Sequence, residues 1–141
     1  MTEAAFYLLA DESHDARLEF VVRLARQIWR KGHQIHCHVA DQATADALSH
    51  AMWSDDESFL PNTTDAHASA QERAITIGTE DIPDRHGVLI QLAGDLPTWF
   101  AHFERIIEIV IQTPAVLEPS RRNWMRLKSD GYPITQHDMR S

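Results

Sequence analysis

The sequence has little cysteine, little glycine and no long apolar run. Among its 141 residues there is one cysteine, Cys37, which excludes an internal disulfide framework and a multi-cysteine zinc site. A single free thiol fits a reducing compartment, so we expect the cytoplasm. No run approaches the 18 or so apolar residues of a membrane span. The first apolar stretch, residues 4–10, follows no basic segment, so we expect no signal peptide.

Positive charge is also scarce. Lys and Arg total 13 against 21 Asp and Glu, which gives a formal net charge of −8. Because clustered Lys and Arg drive binding to phosphate backbones, we expect no direct nucleic-acid ligand. The charge is unevenly distributed: residues 1–119 have 8 basic and 19 acidic side chains, whereas residues 120–141 have 5 and 2. The basic end predicts one localised site for an anionic partner, with a solvated basic helix face as the alternative.

The first part of the chain has the pattern of a strand–helix–strand unit. Residues 4–10 and 34–40 are short apolar runs, and apolar residues at three- and four-residue spacings between them predict an amphipathic helix over 16–31. A connection of this length implies parallel strands and a right-handed crossover. The expected boundaries are Ser13 or Asp15 as the first helix cap, Gly32 as its end and Asp41 as the cap of a second helix.

The rest of the chain continues the alternation of strands and helices. Segments 74–79, 87–93 and 104–112 predict strands, with a helix as the alternative for the last of them. A final helix is expected over 113–130, and Thr113-Pro114 has the pattern of an N-cap followed by a proline at the first helical position. Pro119 raises two alternatives to this start. Because a proline inside a helix removes a hydrogen bond and clashes with the preceding turn, either a short turn precedes this helix or the helix begins near Pro119. The polar segment 54–73 reads as a loop, and the last ten residues read as an extended tail. The chain is therefore expected to form one three-layer α/β domain over residues 1–141, with a mostly parallel sheet.

The loop after the first strand excludes the usual nucleotide-binding chemistry of such folds. Its sequence, ADESHD, has no glycine and three carboxylates. A phosphate-binding loop needs glycines and backbone N–H groups at a helix start, and the carboxylates would repel a phosphate. We therefore expect no dinucleotide cofactor, and the sequence indicates no other cofactor.

Two histidines on the second predicted strand suggest a metal site. On a strand, His36 and His38 point to one face and Cys37 to the other. Two candidate ligands fall short of the three or four that most metal sites need, so polar residues packed on a sheet are the simpler interpretation. A small metal-dependent hydrolase or nuclease built on these histidines remains the alternative function.

Two tryptophans lie where aromatic residues are not expected to be buried. On a helix, Arg121, Trp124, Met125 and Lys128 share one face, which suits neither a core nor a purely solvated surface. A guanidinium beside an aromatic wall suits an anionic peptide with an apolar anchor. Trp53 precedes an acidic loop that ends in the apolar residues 59–61, and these aromatics predict a second partner surface, unless they fold back onto the core. Trp29 and Trp99 are expected in the core.

The sequence resembles the chi subunit of bacterial DNA polymerase III holoenzyme. The matching pieces occur in the family's order and cover nearly the whole chain: AAFYLL, ARQIWRKGHQI, ALSHAMWSDDESFLPN, GVLIQLAGDLPTWFAHFERIIEIV and SRRNWMRLKSDGYP. The resemblance implies a Rossmann-like fold without nucleotide-binding loops and a non-catalytic clamp-loader accessory protein. It also implies two partners, the psi subunit and the acidic C-terminal tail of single-stranded-DNA-binding protein, which ends in an Ile-Pro-Phe-like tip. A repair helicase is a further partner in some relatives.

The resemblance assigns roles to individual residues of the last helix. Arg121 and Trp124 match the arginine and aromatic residue that contact the tail, and Lys128 matches a basic residue one turn later. We expect Arg122 to help steer the acidic part of the tail. Thr113 takes the place of an apolar pocket residue, which is a departure from the family pattern.

The resemblance also assigns the second surface. Trp53 and Phe59 match the tryptophan and phenylalanine that contribute to the psi contact, and the same surface is implicated in binding the repair helicase.

Overall fold

The described residues form one parallel sheet flanked by helices. The structure is a computed structural model that describes residues 2–54, 60–64, 74–79 and 86–140. The elements are β1 (Glu3–Leu8), α1 (His14–Arg30), β2 (Ile35–His38), α2 (Gln42–Trp53), β3 (Asn62–Thr63), β4 (Ile75–Gly78), β5 (Val88–Gln91), a 3-10 turn (Phe100–His102), β6 (Arg105–Val110), α3 (Pro114–Ser129) and β7 (Ile134–Asp138). The strand order is β3-β4-β2-β5-β6-β1-β7, and the neighbouring strands pair in parallel. The predicted α/β class with a Rossmann-like parallel sheet is confirmed.

The direction of the crossovers places the helices in two layers. The connections from β1 to β2 and from β2 to β3 run one way along the sheet, whereas the connection from β6 to β7 runs the other way. Because such crossovers are right-handed, α1 and α2 cover one face of the sheet and α3 covers the opposite face. The chain leaves the neighbouring strands β2 and β5 towards opposite faces, which opens a crevice at their carboxyl ends.

The predicted helix boundaries at the start of the chain are confirmed. Ser13, rather than Asp15, caps α1, and its hydroxyl accepts a hydrogen bond from the N–H of Ala16. Asp41 caps α2 by accepting from the N–H of Thr44 at 2.7 Å. Gly32 follows α1 with a φ of +89°, a conformation that favours glycine.

The structure confirms Thr113 as the N-cap of α3 and Pro114 as its first residue, whereas the two alternatives raised by Pro119, a short preceding turn or a start near Pro119, are wrong. The helix begins at Pro114 and continues through Pro119. The carbonyl of Thr113 accepts from the N–H groups of Val116 and Leu117, at 3.0 and 2.8 Å, so the first turn is closed without any contribution from Pro119. The bond that Pro119 cannot make is the one to the carbonyl of Ala115, an exposed residue whose carbonyl water can reach.

Two strands lie where the sequence predicted a loop and a tail. Asn62–Thr63 forms β3 beside β4, and Leu60 just before it is fully buried. Ile134–Asp138 forms β7, which pairs along β1 and ends the sheet. Both interpretations missed pairing because short or polar strands have little hydrophobic alternation, and their partners lie far away in the sequence. Of the predicted core tryptophans, Trp99 is buried and Trp29 packs against the core while partly exposed. None of the helices described is long and apolar enough to cross a membrane.

Candidate functional site

A surface cavity of about 360 Å³, here named the α3 cavity, lies between α3 and the edge of the sheet formed by β6, β1 and β7. Its floor comes from the strands and its wall from the helix. The lining residues are Phe6, Leu8, Val110, Gln112, Leu117, Ser120, Arg121, Trp124, Met125, Gln136 and Arg140. This volume is at the lower end of the roughly 300–1,000 Å³ of small-ligand pockets, so it suits one or two side chains of a partner.

The helical wall contains the predicted aromatic and basic residues. Leu117, Arg121 and Trp124 lie four and three residues apart, so they share a face of α3. The ring of Trp124 meets Phe6 edge-on, with 5.3 Å between ring centroids, and this contact fixes its orientation. Met125 is 69% exposed at the mouth of the cavity. The structure therefore brings together an apolar wall and a guanidinium, as the spacing predicted.

Two guanidinium groups flank this cavity. Arg121 is exposed on α3, and none of the ion pairs within the described ranges involves it. Arg140 follows β7 and donates two hydrogen bonds to Asp138, from Nε to Oδ1 at 2.9 Å and from Nη2 to Oδ2 at 2.8 Å. These bonds lower the pKa of Asp138 to about 2. Arg121 thus offers an unshared charge, whereas the charge of Arg140 is partly compensated.

Three other predicted contact residues lie outside the cavity lining. Arg122 donates to Asp95 at 2.9 Å, and both side chains are exposed. Lys128 is exposed near the end of α3. Thr113 precedes α3 without capping it by its side chain, and its buried hydroxyl has no hydrogen-bond partner in the part of the chain described. Their roles in partner binding stay predictions.

The second predicted surface is described only at Trp53. This residue ends α2 and is 53% exposed, in keeping with an apolar surface patch. Phe59 lies outside the described residues, and Leu60 is buried in the core. Since α2 and α3 cover opposite faces of the sheet, Trp53 lies on the other side of the sheet from α3.

The histidines of β2 are engaged by other protein groups. The Nδ1 atom of His36 lies 2.7 Å from the hydroxyl of Thr76. In His38, Nδ1 lies 2.8 Å from Oε1 of Gln91 and Nε2 lies 2.9 Å from the carbonyl of Thr79. Within the described ranges, no three His, Cys, Asp or Glu side chains gather as metal ligands would. The structure thus lends no support to the alternative metal-dependent function.

Sequence reasoning missed the strand residues of the cavity. Phe6, Leu8 and Val110 appeared only as buried strand positions, and they meet α3 because β1 and β6 pair in register. Arg140 was counted in the basic C-terminal segment, but its position depends on β7 pairing with β1. No local pattern in the sequence signals this long-range pairing.

Comparison with known proteins identifies the family. Residues 1–135 match the sequence model of the DNA polymerase III chi subunit, HolC. The chain belongs to this family. Similar proteins include the DNA polymerase III subunit chi of Pseudomonas aeruginosa, 32% identical over 97% of this chain and 96% of the relative. The DNA polymerase III subunit chi of Haemophilus influenzae is 24% identical over 96% of each chain. The resemblance drawn from the sequence motifs is confirmed.

Proposed function

We propose that this protein is a non-catalytic adaptor of the DNA polymerase III clamp-loader complex. It links the psi subunit to the acidic C-terminal tail of single-stranded-DNA-binding protein during replication. The observation that carries the tail-binding part is the α3 cavity, an apolar hollow flanked by Arg121 and Arg140 on a chain with a net charge of −8.

The α3 cavity has the chemistry that an acidic peptide with an apolar end requires. Trp124, Phe6 and Leu117 offer apolar contact to the last side chain of the tail. The guanidinium of Arg121 is placed to pair with a carboxylate, and its planar donors allow two parallel hydrogen bonds. Arg122 and Lys128 lie along the same helix outside the cavity and act mainly on the rate of association, because exposed charges steer a partner more than they hold it.

The acidic remainder of the chain favours this function over direct DNA binding. Residues 1–119 carry a balance of −11, which repels a phosphate backbone. A basic cavity on an acidic body can recruit a protein that is itself bound to DNA while avoiding the DNA.

The psi contact is proposed at Trp53, on the face of the sheet opposite α3, and at Phe59, which the resemblance assigns and which lies outside the described residues. The exposure of Trp53 supports it, because large exposed aromatic residues mark partner surfaces. The separation of the two surfaces across the sheet lets both partners bind at once, as a linking protein needs. A repair helicase is a further candidate for the Trp53 surface.

The tail contact is tested by titrating the purified protein with a peptide that ends in an acidic stretch and Ile-Pro-Phe. We expect Arg121→Ala to raise the dissociation constant at least tenfold, a loss of about 1.4 kcal/mol, and to reduce the dependence of binding on salt. Arg23→Ala is the matched control, because it removes the same charge from α1 on the other face of the sheet. Equal affinities of the wild type and Arg121→Ala in calorimetry would refute the assignment.

The psi contact is tested by co-purification. We expect Phe59→Ala to lose psi while keeping the affinity for the tail peptide, because the resemblance assigns Phe59 to the psi contact and the residues that line the α3 cavity stay unchanged. Trp53→Ala is expected to act in the same direction. Recovery of psi with Phe59→Ala at the wild-type yield would contradict the assignment without affecting the tail site.

A further inference from the structure

A second and larger cavity, of about 530 Å³, lies at the carboxyl ends of β2, β5 and β6. The first turns of α1, α2 and α3 all contribute to its walls, and it occupies the crevice where the chain leaves β2 and β5 towards opposite faces. Parallel α/β sheets bind ligands at this position. The cavity is distinct from the α3 cavity, with Ser120 as the one residue that lines both.

We name this second cavity the crevice cavity. The carboxyl group of Glu108 is the buried ionisable group in its lining. The residue lies in the middle of β6, lines the cavity and is only 4% exposed. Its Oε2 atom is shielded from solvent and has no hydrogen-bond partner among the residues that the structure describes, while the side chains of Asn123 and Ser120 interact with the carboxyl group. The nearby guanidinium of Arg17 donates to backbone carbonyls instead, from Nε to Ile109 at 2.8 Å and from Nη1 to Leu92 at 3.4 Å. A buried acceptor without a donor is costly, so a ligand that supplies a donor gains by satisfying it.

The charge of the residues that line the crevice cavity determines whether a cation or an anion binds there. Two carboxylates, those of Asp15 and Asp41, line the cavity together with the carboxyl group of Glu108, against the single guanidinium of Arg17. Asp41 already caps α2, so that helix start offers no open anion site. The surplus of carboxyl groups disfavours phosphates and carboxylates and favours a cation. Leu18, Ala47 and Val116 provide apolar surface for the body of such a ligand.

We propose that the crevice cavity binds a small organic amine, whose ammonium group pairs with the carboxyl group of Glu108 while its apolar body contacts Leu18, Ala47 and Val116. The geometry that carries this proposal is the unpartnered buried carboxyl oxygen in a cavity with an acidic, partly apolar lining. The proposal is independent of the tail and psi contacts.

The protonation of Glu108 gives this proposal a specific signature. Burial raises the pKa of Glu108 to about 8, although its interactions with Asn123 and Ser120 of α3 and the charge of Arg17 of α1 oppose the rise. The other titratable groups that face the cavity are His14 and Asp15 of α1 and Asp41 of α2. At pH 7 the carboxyl group is mostly protonated, and an ammonium ion beside it favours its ionisation. Binding at pH 7 therefore releases about one proton per ligand.

The experiment titrates the full-length protein with n-butylammonium chloride, while amide NMR spectra are recorded and heats are measured in two buffers of different ionisation enthalpy. We expect saturable shifts at Ala93, Gly94 and Ser120, and a buffer-dependent heat that reports proton release. Sodium butyrate and 1-butanol are matched in length, and we expect at least tenfold weaker binding from each. Shifts elsewhere, no shifts, or equal binding of butyrate would overturn the proposal.

Two variants locate the site. Glu108→Gln keeps the shape of the side chain and removes the ionisable carboxyl, so we expect at least a tenfold rise in the dissociation constant and no proton release. Ala47→Leu narrows the cavity from an exposed position of α2 and is expected to weaken binding even if Glu108→Gln folds poorly. Arg121→Ala, in the α3 cavity, is the control that keeps wild-type affinity for the amine. Unchanged amine affinity in either Glu108→Gln or Ala47→Leu refutes the assignment.

Discussion

The buried carboxyl of Glu108 predicts how the stability of the protein depends on pH. Its pKa is raised from 4.5 to about 8, with desolvation by burial as the largest cause. The unfolded chain loses this proton near pH 4.5, while the folded protein keeps it up to about pH 8. Between these values the folded state binds more protons, so the contribution of Glu108 to the free energy of unfolding falls as the pH rises.

The size of the effect follows from the shift. Within this window the free energy of unfolding falls by about 1.4 kcal/mol for each pH unit. Over the full window the fall is roughly 5 kcal/mol as an upper bound. Glu108→Gln has no such titration. We therefore expect the free energy of unfolding of the variant, minus that of the wild type, to rise by several kcal/mol from pH 4.5 to pH 8. The variant is then the more stable protein at high pH.

Urea unfolding at half-unit steps of pH, for the wild type and Glu108→Gln, measures this difference. The other titratable groups are common to both proteins and largely cancel in the comparison. A second glutamate variant, Glu118→Gln at an exposed position of α3, is the matched control and is expected to give a nearly parallel curve. Parallel curves for Glu108→Gln and the wild type would refute the assigned pKa and the desolvation argument.

Two further predictions concern the packing of the sheet. Gly87→Ala places a methyl group against the backbone carbonyl of Gln34 at the start of β5, so we expect a loss of about 2 kcal/mol or more in the free energy of unfolding, measured in urea; an unchanged value would contradict the close approach. Cys37 is fully buried in β2 and burial raises the pKa of its thiol to about 12, so iodoacetamide at pH 8 is expected to leave it unmodified in the folded protein and to alkylate it after denaturation, as mass spectrometry can show.

Local signals in the sequence were sufficient for the first half of the fold. Ser13, Gly32 and Asp41 mark helix boundaries by short-range chemistry, a hydroxyl or carboxylate that accepts an N–H and a glycine that adopts a positive φ. The apolar runs that became β2, β5 and β6 are buried at nearly every position, and parallel strands of this kind are recognisable without alternation. These features depend on neighbours within a few residues.

The parts that the sequence did not predict depend on distant contacts. Residues 134–138 are mostly polar and partly exposed, and they form a strand only because β1 offers a free edge beside them. The start of α3 is, in contrast, a local feature, because the carbonyl of Thr113 closes the first turn before Pro119 is reached. The α3 cavity combines both cases. The helical spacing predicted Arg121 and Trp124, whereas Phe6 and Arg140 reached the site through strand pairing.

Glu108 is an ionisable residue at a buried position of an otherwise apolar strand. It stands in the β-branched run RIIEIV, where a carboxyl group contributes nothing to the apolar packing of a central strand. If the pH dependence above is as expected, a glutamine of the same shape gives a more stable protein near neutral pH. In most of this chain the local sequence preference agrees with the fold, but the buried carboxyl group of Glu108 does not. Such a disagreement beside a cavity is typical of a binding site rather than of a residue that the fold requires. The stability curve and the amine titration test this point independently, since the first measures the cost of the carboxyl group and the second measures what that group binds.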